Sequence, residues 1–346
     1  MDGNASKIID SIHKAKAQHA DLVIFAEQAV SGTPAFDLLR KTTFLELCED
    51  ALVEIASCCD GIAAIVGLPI LTADGTISAA ALIQDRKVLR YIGKKYITAR
   101  REMGFLVPSK GYEYATIKGH KCAIIVGDDL SRERDFDQSV ETVISINARK
   151  YGKGTMTYRY EMMRNLAFVE SKNLVLVNQV GGSTEIVYDG TSAVVGADGQ
   201  IELLMKSFEE DFAIFDTRAE HEPIAVPYTT YKDRTRMVYS AAVCGLHDYF
   251  GKNGYTKAAI GLSGGILATV FNDLATGLSP DIPVVRELMI LLILLVGHGI
   301  NLFMSSISSF VHPMRLTFVE FYKNAGFEMA ARQFEPLTKI DQSENK

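Results

Sequence analysis

The sequence has no long run of lysine and arginine, no internal repeat and no low-complexity tract. Its formal net charge of −6 gives no general attraction to nucleic acid, so a nucleic-acid partner is not expected. Cysteine is scarce: Cys48, Cys58, Cys59, Cys122 and Cys244 make five, an odd number, and none has metal-ligand spacing. This argues against a disulfide framework and against a bound metal, and makes a reducing, cytoplasmic setting the default. His298 and His312 belong to no ligand cluster and are expected to be structural. The opening "MDGNASKIID" lacks the basic start and apolar run of a secretory signal. Charge itself is missing from Leu288 to Val311, "LMILLILLVGHGINLFMSSISSFV". As a helix that run would reach about 36 Å, enough to cross a ~30 Å hydrocarbon core, so membrane association through 288–311 is an open expectation.

What is present is a chain of 346 residues, 48% apolar and 23% charged, long enough to bury a large core. "NASKIIDSIHKAKA" predicts a helix capped by Asn4, with Ile8, Ile9, Ile12 and Ala15 on one face. "DLVIFAE" reads as a buried strand ending at Glu27. "FDLLRKTTFLELCEDALVEIASCC" reads as one long amphipathic helix that Cys58 and Cys59 end, and "IAAIVGL" as a strand after it. "SAAALIQDRKVLRYI" has the signature of a hairpin, and "ADGQ" marks a second tight turn. Strands and helices alternate, but hairpins interrupt them, which favours mixed sheets with helices outside over a parallel doubly wound sheet.

Three strand ends carry candidate chemistry: Glu27, Lys94 or its neighbour Lys95, and the corner Gly127–Asp128–Asp129 after "CAIIV". An acid, a lysine and a nucleophile at adjacent strand ends suit acyl transfer, the acid taking a proton and the lysine stabilising the oxyanion. Charged residues end most strands, however, and spacing alone leaves the catalytic and the structural readings both open.

The stretches "GNASKIIDSIHKAKAQHADLVIFAEQAVSGTPAFDLL", "VNQVGGSTEIVYDGTSAVVGADGQ" and "GLHDYFGKNGYTKAAIGLSGG" resemble the nitrilase-type glutaminase domain, and the start of the synthetase domain, of glutamine-dependent NAD synthetases. The likeness runs over about residues 2–265. It implies a mixed α/β fold, a nitrilase-like αββα sandwich lacking its first strand, which leaves an open sheet edge beside "DLVIFAE". It also implies a Glu–Lys–Cys triad that hydrolyses the glutamine side-chain amide. The ammonia would pass to a synthetase domain that adenylates nicotinate adenine dinucleotide with ATP. On this resemblance Glu27 is the general base and Lys94 the lysine, although "YITARREMGFL" departs from the family pattern and keeps Lys95 open as an alternative. The nucleophilic cysteine falls on Gly127, followed by Asp128 and Asp129. Glu27, Lys94 and Asp128 would then form a buried charge cluster without a task. Arg149–Lys150, replacing the family's Ser-Pro, would bring charge to the substrate pocket. Cys122 lies five residues earlier, about 16 Å away along a strand at ~3.3 Å per residue, and odd spacing turns it to the opposite face. Loss of a triad nucleophile costs roughly a millionfold in turnover, so hydrolysis is expected to be close to absent.

The loop "GLSGGILAT", through Ser263, Gly264 and Gly265, resembles the family's phosphate loop with Leu267 and Ala268 in place of its acid and serine. No cofactor is expected, with ATP only if this truncated loop still binds it. From about Ser279 the likeness changes. "GHGINLFMSSISSFVHPMRLTFVEFYKNAGFEMAARQFEPL" resembles the C-terminal membrane helix and tail of the membrane subunit of V/A-type rotary ATPases. The pattern His312–Arg315–Leu316–Val319–Glu320–Phe321 carries that likeness. Four segments are therefore expected: a nitrilase-like domain at 1–217, a linker at 218–236, a synthetase remnant at 237–279 and a membrane-like helical tail at 280–346. Three readings follow. One is a degenerate glutaminase with a glutamine-like amide as ligand. Another is a non-catalytic nitrilase-fold binding module with a membrane-associated tail; a homo-oligomer is a possible partner state in any reading. The last is a composite chain with no function of its own.

Overall fold

The computed structural model describes residues 1–99, 102–183, 185–225 and 230–255, together with 270, 272–275, 285–300 and 302–303. The chain divides into two units, Met1–Thr256 and Lys257–Lys346.

In the first unit a helix α1 (Asp2–Ala17) precedes strand β1 (Leu22–Ile24), a 3-10 turn (Phe36–Arg40) and helix α2 (Thr42–Ser57). Strands β2 (Ala63–Thr72), β3 (Gly75–Gln84) and β4 (Lys87–Gly93) follow, completing a four-stranded sheet in the order β1-β2-β3-β4. Its one parallel pair is β1 with β2, and the rest is antiparallel. Asp85 and Arg86, both with positive φ (49° and 63°), make the hairpin turn whose twist suits β3 and β4.

The second sheet uses β5 (Glu113–Ile117), β6 (His120–Val126), β7 (Thr142–Asn147), β8 (Asn173–Asn178), β11 (Ala193–Val195) and β12 (Ile201–Leu204). Their order is β12-β11-β8-β7-β6-β5, with helix α3 (Thr155–Glu170) between β7 and β8. A small antiparallel pair, β9 (Val180–Ser183) and β10 (Ile186–Asp189), stands apart from both sheets.

Three apolar layers define the architecture. Ile8, Ile12, Leu52 and Ile55 of the first two helices pack on Ala64, Val66 and Ala81 of the four-stranded sheet. Ile65, Leu82 and Ile92 meet Ile124, Val126 and Ile144 between the two sheets. Met156, Tyr160 and Met163 of α3 cover Ala123, Ile125 and Leu174 on the far side. Helix, sheet, sheet and helix thus stack as the expected αββα sandwich.

Two local readings are corrected. Asn4 lies inside α1, and its Nδ2 donates to the Val30 carbonyl at 3.1 Å, fastening the helix to the loop after β1. The stretch 36–57 is two elements, because Lys41 is extended (φ −93°, ψ 111°). Leu39 goes into a separate cluster with Ala35 and Leu106, while Cys48, Leu52 and Ile55 pack on the sheet. Helix α4 (Tyr231–Asn253) belongs to the first unit. There Met237 joins the α3 core, and Asp248 accepts the Gly182 amide at 2.6 Å.

In the second unit, residues 285–300 are helical. Among the described residues no helix is long and apolar enough to cross a membrane. Ser263, Gly264 and Gly265 lie outside the described residues. So do His312, Arg315 and the rest of the tail beyond 303.

Candidate active site

Glu27 follows β1 by three residues. It is held against β2 by a glycine: a Cβ at Gly67 would lie 2.2 Å from the Ala26 carbonyl oxygen and 2.7 Å from Glu27 Cα. Only a bare backbone fits this approach. Glu27 is 2% exposed. Its Oε1 accepts from Ser78 Oγ at 2.8 Å and from Lys94 Nζ at 3.1 Å, and its Oε2 accepts from the Ala148 amide at 3.2 Å.

Lys94 is the first residue after β4, where its amide donates to the Ser78 carbonyl. Its ammonium is buried and bridges two carboxylates, Glu27 at 3.1 Å and Glu102 Oε2 at 2.9 Å. Burial alone would lower its pKa, but the charges of Glu27 and Glu102 outweigh that effect and hold it above the ordinary lysine value. Lys95, the alternative, points elsewhere: it pairs with Glu133 at 2.9 Å and lies over the Tyr96 ring.

Gly127 leaves β6 with φ +65°, a conformation that L side chains rarely adopt. A Cβ built there would stand 2.7 Å from Lys94 Cε, 2.8 Å from Lys94 Nζ and 3.0 Å from Glu27 Oε2. The acid and the amine therefore converge on the one position of the corner that has no side chain. The lysine has settled into the space that a side chain would need.

The two aspartates after Gly127 hold the corner. Asp129 is fully buried, and its carboxylate accepts the amides of Lys95 and Tyr96 at 2.7 and 2.8 Å. Burial raises its pKa, and those two amides oppose the shift. Asp128 is not enclosed with Glu27 and Lys94 as the sequence led us to expect. It bonds to Thr98 Oγ1 and pairs with Arg149 Nε at 3.3 Å, on the corner's partly exposed side. The enclosed third member is Glu102 instead. Arg149 does bring charge beside the corner, and burial lowers its pKa.

Cys122 cannot substitute for the missing side chain, although not for the reason of alternation. It packs between the sheets with Ile124 and Val126, on the side toward the sheet that carries Glu27 and Lys94. Gly127, with its positive φ, has left the strand, so counting alternate residues fails there. What excludes Cys122 is its place at the strand's other end, where its thiol, raised to about 11 by burial, lies 3.9 Å from the His120 carbonyl oxygen.

Two site residues, Glu102 and Gly67, were missed from sequence. Gly67 did leave a signal, since a glycine inside an apolar strand marks a close backbone approach. Glu102 left none, because its placement depends on the irregular path of the chain after Lys95. Among the described residues no group of three or more His, Cys, Asp or Glu side chains could hold a metal ion.

The layers and this corner define a nitrilase-like α/β sandwich. No family model matches the sequence. The chain is homologous to glutamine-dependent NAD(+) synthetases. It is 31% identical over 276 residues to that of Xanthomonas campestris pv. campestris, covering 76% of this chain and 50% of the relative. To the Acinetobacter baylyi protein it is 28% identical, covering 77% and 51%. It thus spans about half the length of the curated relatives it matches. Among solved structures, the synthetase of Acinetobacter baumannii in complex with ADP matches with a TM-score of 0.65 and 28% identity, over 79% of this chain and 53% of that one. An amidase of the nitrilase superfamily from Nesterenkonia AN1 matches with a TM-score of 0.53 and 20% identity, over 60% and 81%. That likeness concerns the fold. A second structure of that amidase shows acrylamide added at its active-site cysteine.

Proposed function

We propose that the first unit is a glutamine-amide hydrolase domain of the NAD synthetase lineage, arrested because Gly127 supplies no nucleophile. The observation that carries this reading is the convergence of Lys94 Nζ and Glu27 Oε2 to 2.8 and 3.0 Å from a Cβ at position 127. Glu27, anchored by Ser78 and the Ala148 amide, is oriented to take a proton from a group at that position. Lys94 Nζ, kept cationic by two carboxylates, is oriented toward the oxyanion that attack would form. With no thiol there is no covalent step. ATP at Ser263–Gly265, a homo-oligomer, a cytoplasmic location and a V/A-ATPase-like tail remain parts of the proposal that need their own tests.

The experiment is ammonia release from glutamine by the parent chain, by Gly127→Cys and by Gly127→Cys/Glu27→Gln. The parent should release none above background, since a missing nucleophile costs roughly a millionfold. Gly127→Cys should gain at least about a hundredfold, with some of the full effect lost to its positive φ and to the displaced lysine. The double variant should lose that gain. Release by the parent that disappears in Glu27→Gln would overturn the proposal.

A further inference from the structure

Arg149 directly follows Ala148, whose amide donates to Glu27 Oε2 at 3.2 Å, so it leaves the backbone beside the acid of the corner. One partner fixes its main chain on both sides. The Arg149 amide donates to Asn178 Oδ1 at 2.8 Å, and its carbonyl accepts from Asn178 Nδ2 at 3.2 Å. Its side chain is only 18% exposed. Nε donates to Asn147 Oδ1 at 3.2 Å and lies 3.3 Å from Asp128 Oδ1. Neither terminal nitrogen, Nη1 or Nη2, donates a hydrogen bond among the described residues. Arg159 is the contrast: both of its terminal nitrogens are spent on Asp189, at 2.9 and 3.0 Å.

Enclosing a guanidinium and leaving its fork of donors unfilled is costly. Burial acts most strongly against this cation and the charge of Arg159 adds to it, while Asp128 and Glu27 favour it. An anion at the terminal nitrogens would offset the cost. A carboxylate matches the fork with two parallel N–H···O bonds. A doubly charged phosphate would meet more repulsion from Asp128 and Glu27 beside the same arginine. A neutral amide brings no charge to balance the cation. We propose that the terminal nitrogens of Arg149 bind a carboxylate, so that the ligand of the corner is an amide with an acid group at its other end. The amide half of this assignment rests on the hydrolase reading, and the carboxylate half rests on Arg149 alone.

The probe is 4-carbamoylbutanoate, which is glutamine without its amino group, and the control is pentanediamide, its neutral isostere. Calorimetry on the unaltered chain reads the binding of both. The acid should bind roughly ten- to a hundredfold more tightly than the diamide, as expected for charge-assisted hydrogen bonds. It should also shift the side-chain Nε–H resonance of Arg149 in NMR spectra, which the diamide should leave in place. Arg149→Met should reduce the preference to about twofold or less, and Arg149→Lys, which keeps the charge without the fork, should retain part of it. Equal binding of the two ligands by the unaltered chain would overturn the proposal, and so would a preference that survives in Arg149→Met. Absence of saturable binding of the acid up to about 10 mM would overturn it as well. The ligand comparison uses the unaltered chain and does not depend on a variant folding. A preference for the acid, with no ammonia released by Gly127→Cys, would uphold the carboxylate site and overturn the hydrolase reading instead.

Discussion

Glu27, Lys94 and Glu102 beside Gly127, and Arg159, Asp189 and Asn178 near the end of β8, are both enclosed ionic groups, but they are assembled differently. In the second, Arg159 and Asp189 are each at most 1% exposed and meet in a two-pronged pair at 2.9 and 3.0 Å. Thr191 Oγ1 accepts from Arg159, and Asn178 Nδ2 donates to Asp189 at 2.9 Å. One cation meets one anion, and the cluster fastens α3 to β10 and the end of β8. In the first, two carboxylates share one ammonium, and the group turns toward a glycine. A cluster made only for stability has no reason to gather an excess charge around an absent side chain. This contrast supports the proposal that the first group was shaped for chemistry and the second for cohesion.

Breaking each cluster tests the comparison. Arg159→Met leaves Asp189 buried without its cation and should destabilise the fold by about 3–5 kcal/mol, read from the denaturant midpoint. Lys94→Met strands two carboxylates and should cost as much or more. Adding Asp189→Asn to Arg159→Met should restore much of the loss. A single Glu27→Gln added to Lys94→Met should restore less, because Glu102 is still ionic. Gly67→Ala should follow, at about 1–3 kcal/mol, because the backbone of Ala26 and Glu27 blocks the added methyl. Gly127→Ala should cost about 1–2 kcal/mol for its positive φ, since the lysine tip can move away. A larger cost for Gly127→Ala than for Gly67→Ala would contradict the distinction between a backbone wall and a vacated side-chain position.

The pH responses are smaller and separate the two kinds of charge. The folded-state pKa of Lys94 is raised, so its contribution is fully present below the unfolded value of about 10.4 and is lost as pH rises through the folded value. The stability gap between the parent and Lys94→Met should therefore hold from neutral pH to about pH 10 and narrow only above it. Asp137, on the surface, is the opposite case: hydrogen bonds from the Ser139 side chain and amide, and from Lys121, lower it to about 2. Its contribution is present above about 3.9 and is lost as pH falls through about 2. Ser139→Ala should move its titration, followed by NMR, upward toward 3.9.

Much of the layer order was legible because apolar spacing and turn residues are local signals. Ile8, Ile12 and Ala15 repeat at helical intervals, and the Asp85–Arg86 turn sits between two apolar strands. Glu27, Lys94 and Gly127 were legible as strand ends, and the resemblance assigned their roles. What failed depends on distant contacts. Asn4 reaches Val30, Lys41 interrupts a helix so that Leu39 can join Leu106, and Glu102 enters the corner from an irregular stretch. The face of Cys122 was misjudged because one left-handed residue, Gly127, breaks the strand's alternation.

The most direct test is intact-mass analysis of Gly127→Cys quenched in acid during incubation with glutamine. A γ-glutamyl thioester on the introduced sulfur is the predicted result, absent from the parent and from Gly127→Cys/Glu27→Gln. A folded Gly127→Cys that stays unmodified, with its thiol still open to alkylation, would contradict the claim that Glu27 and Lys94 are arranged around a reaction at position 127.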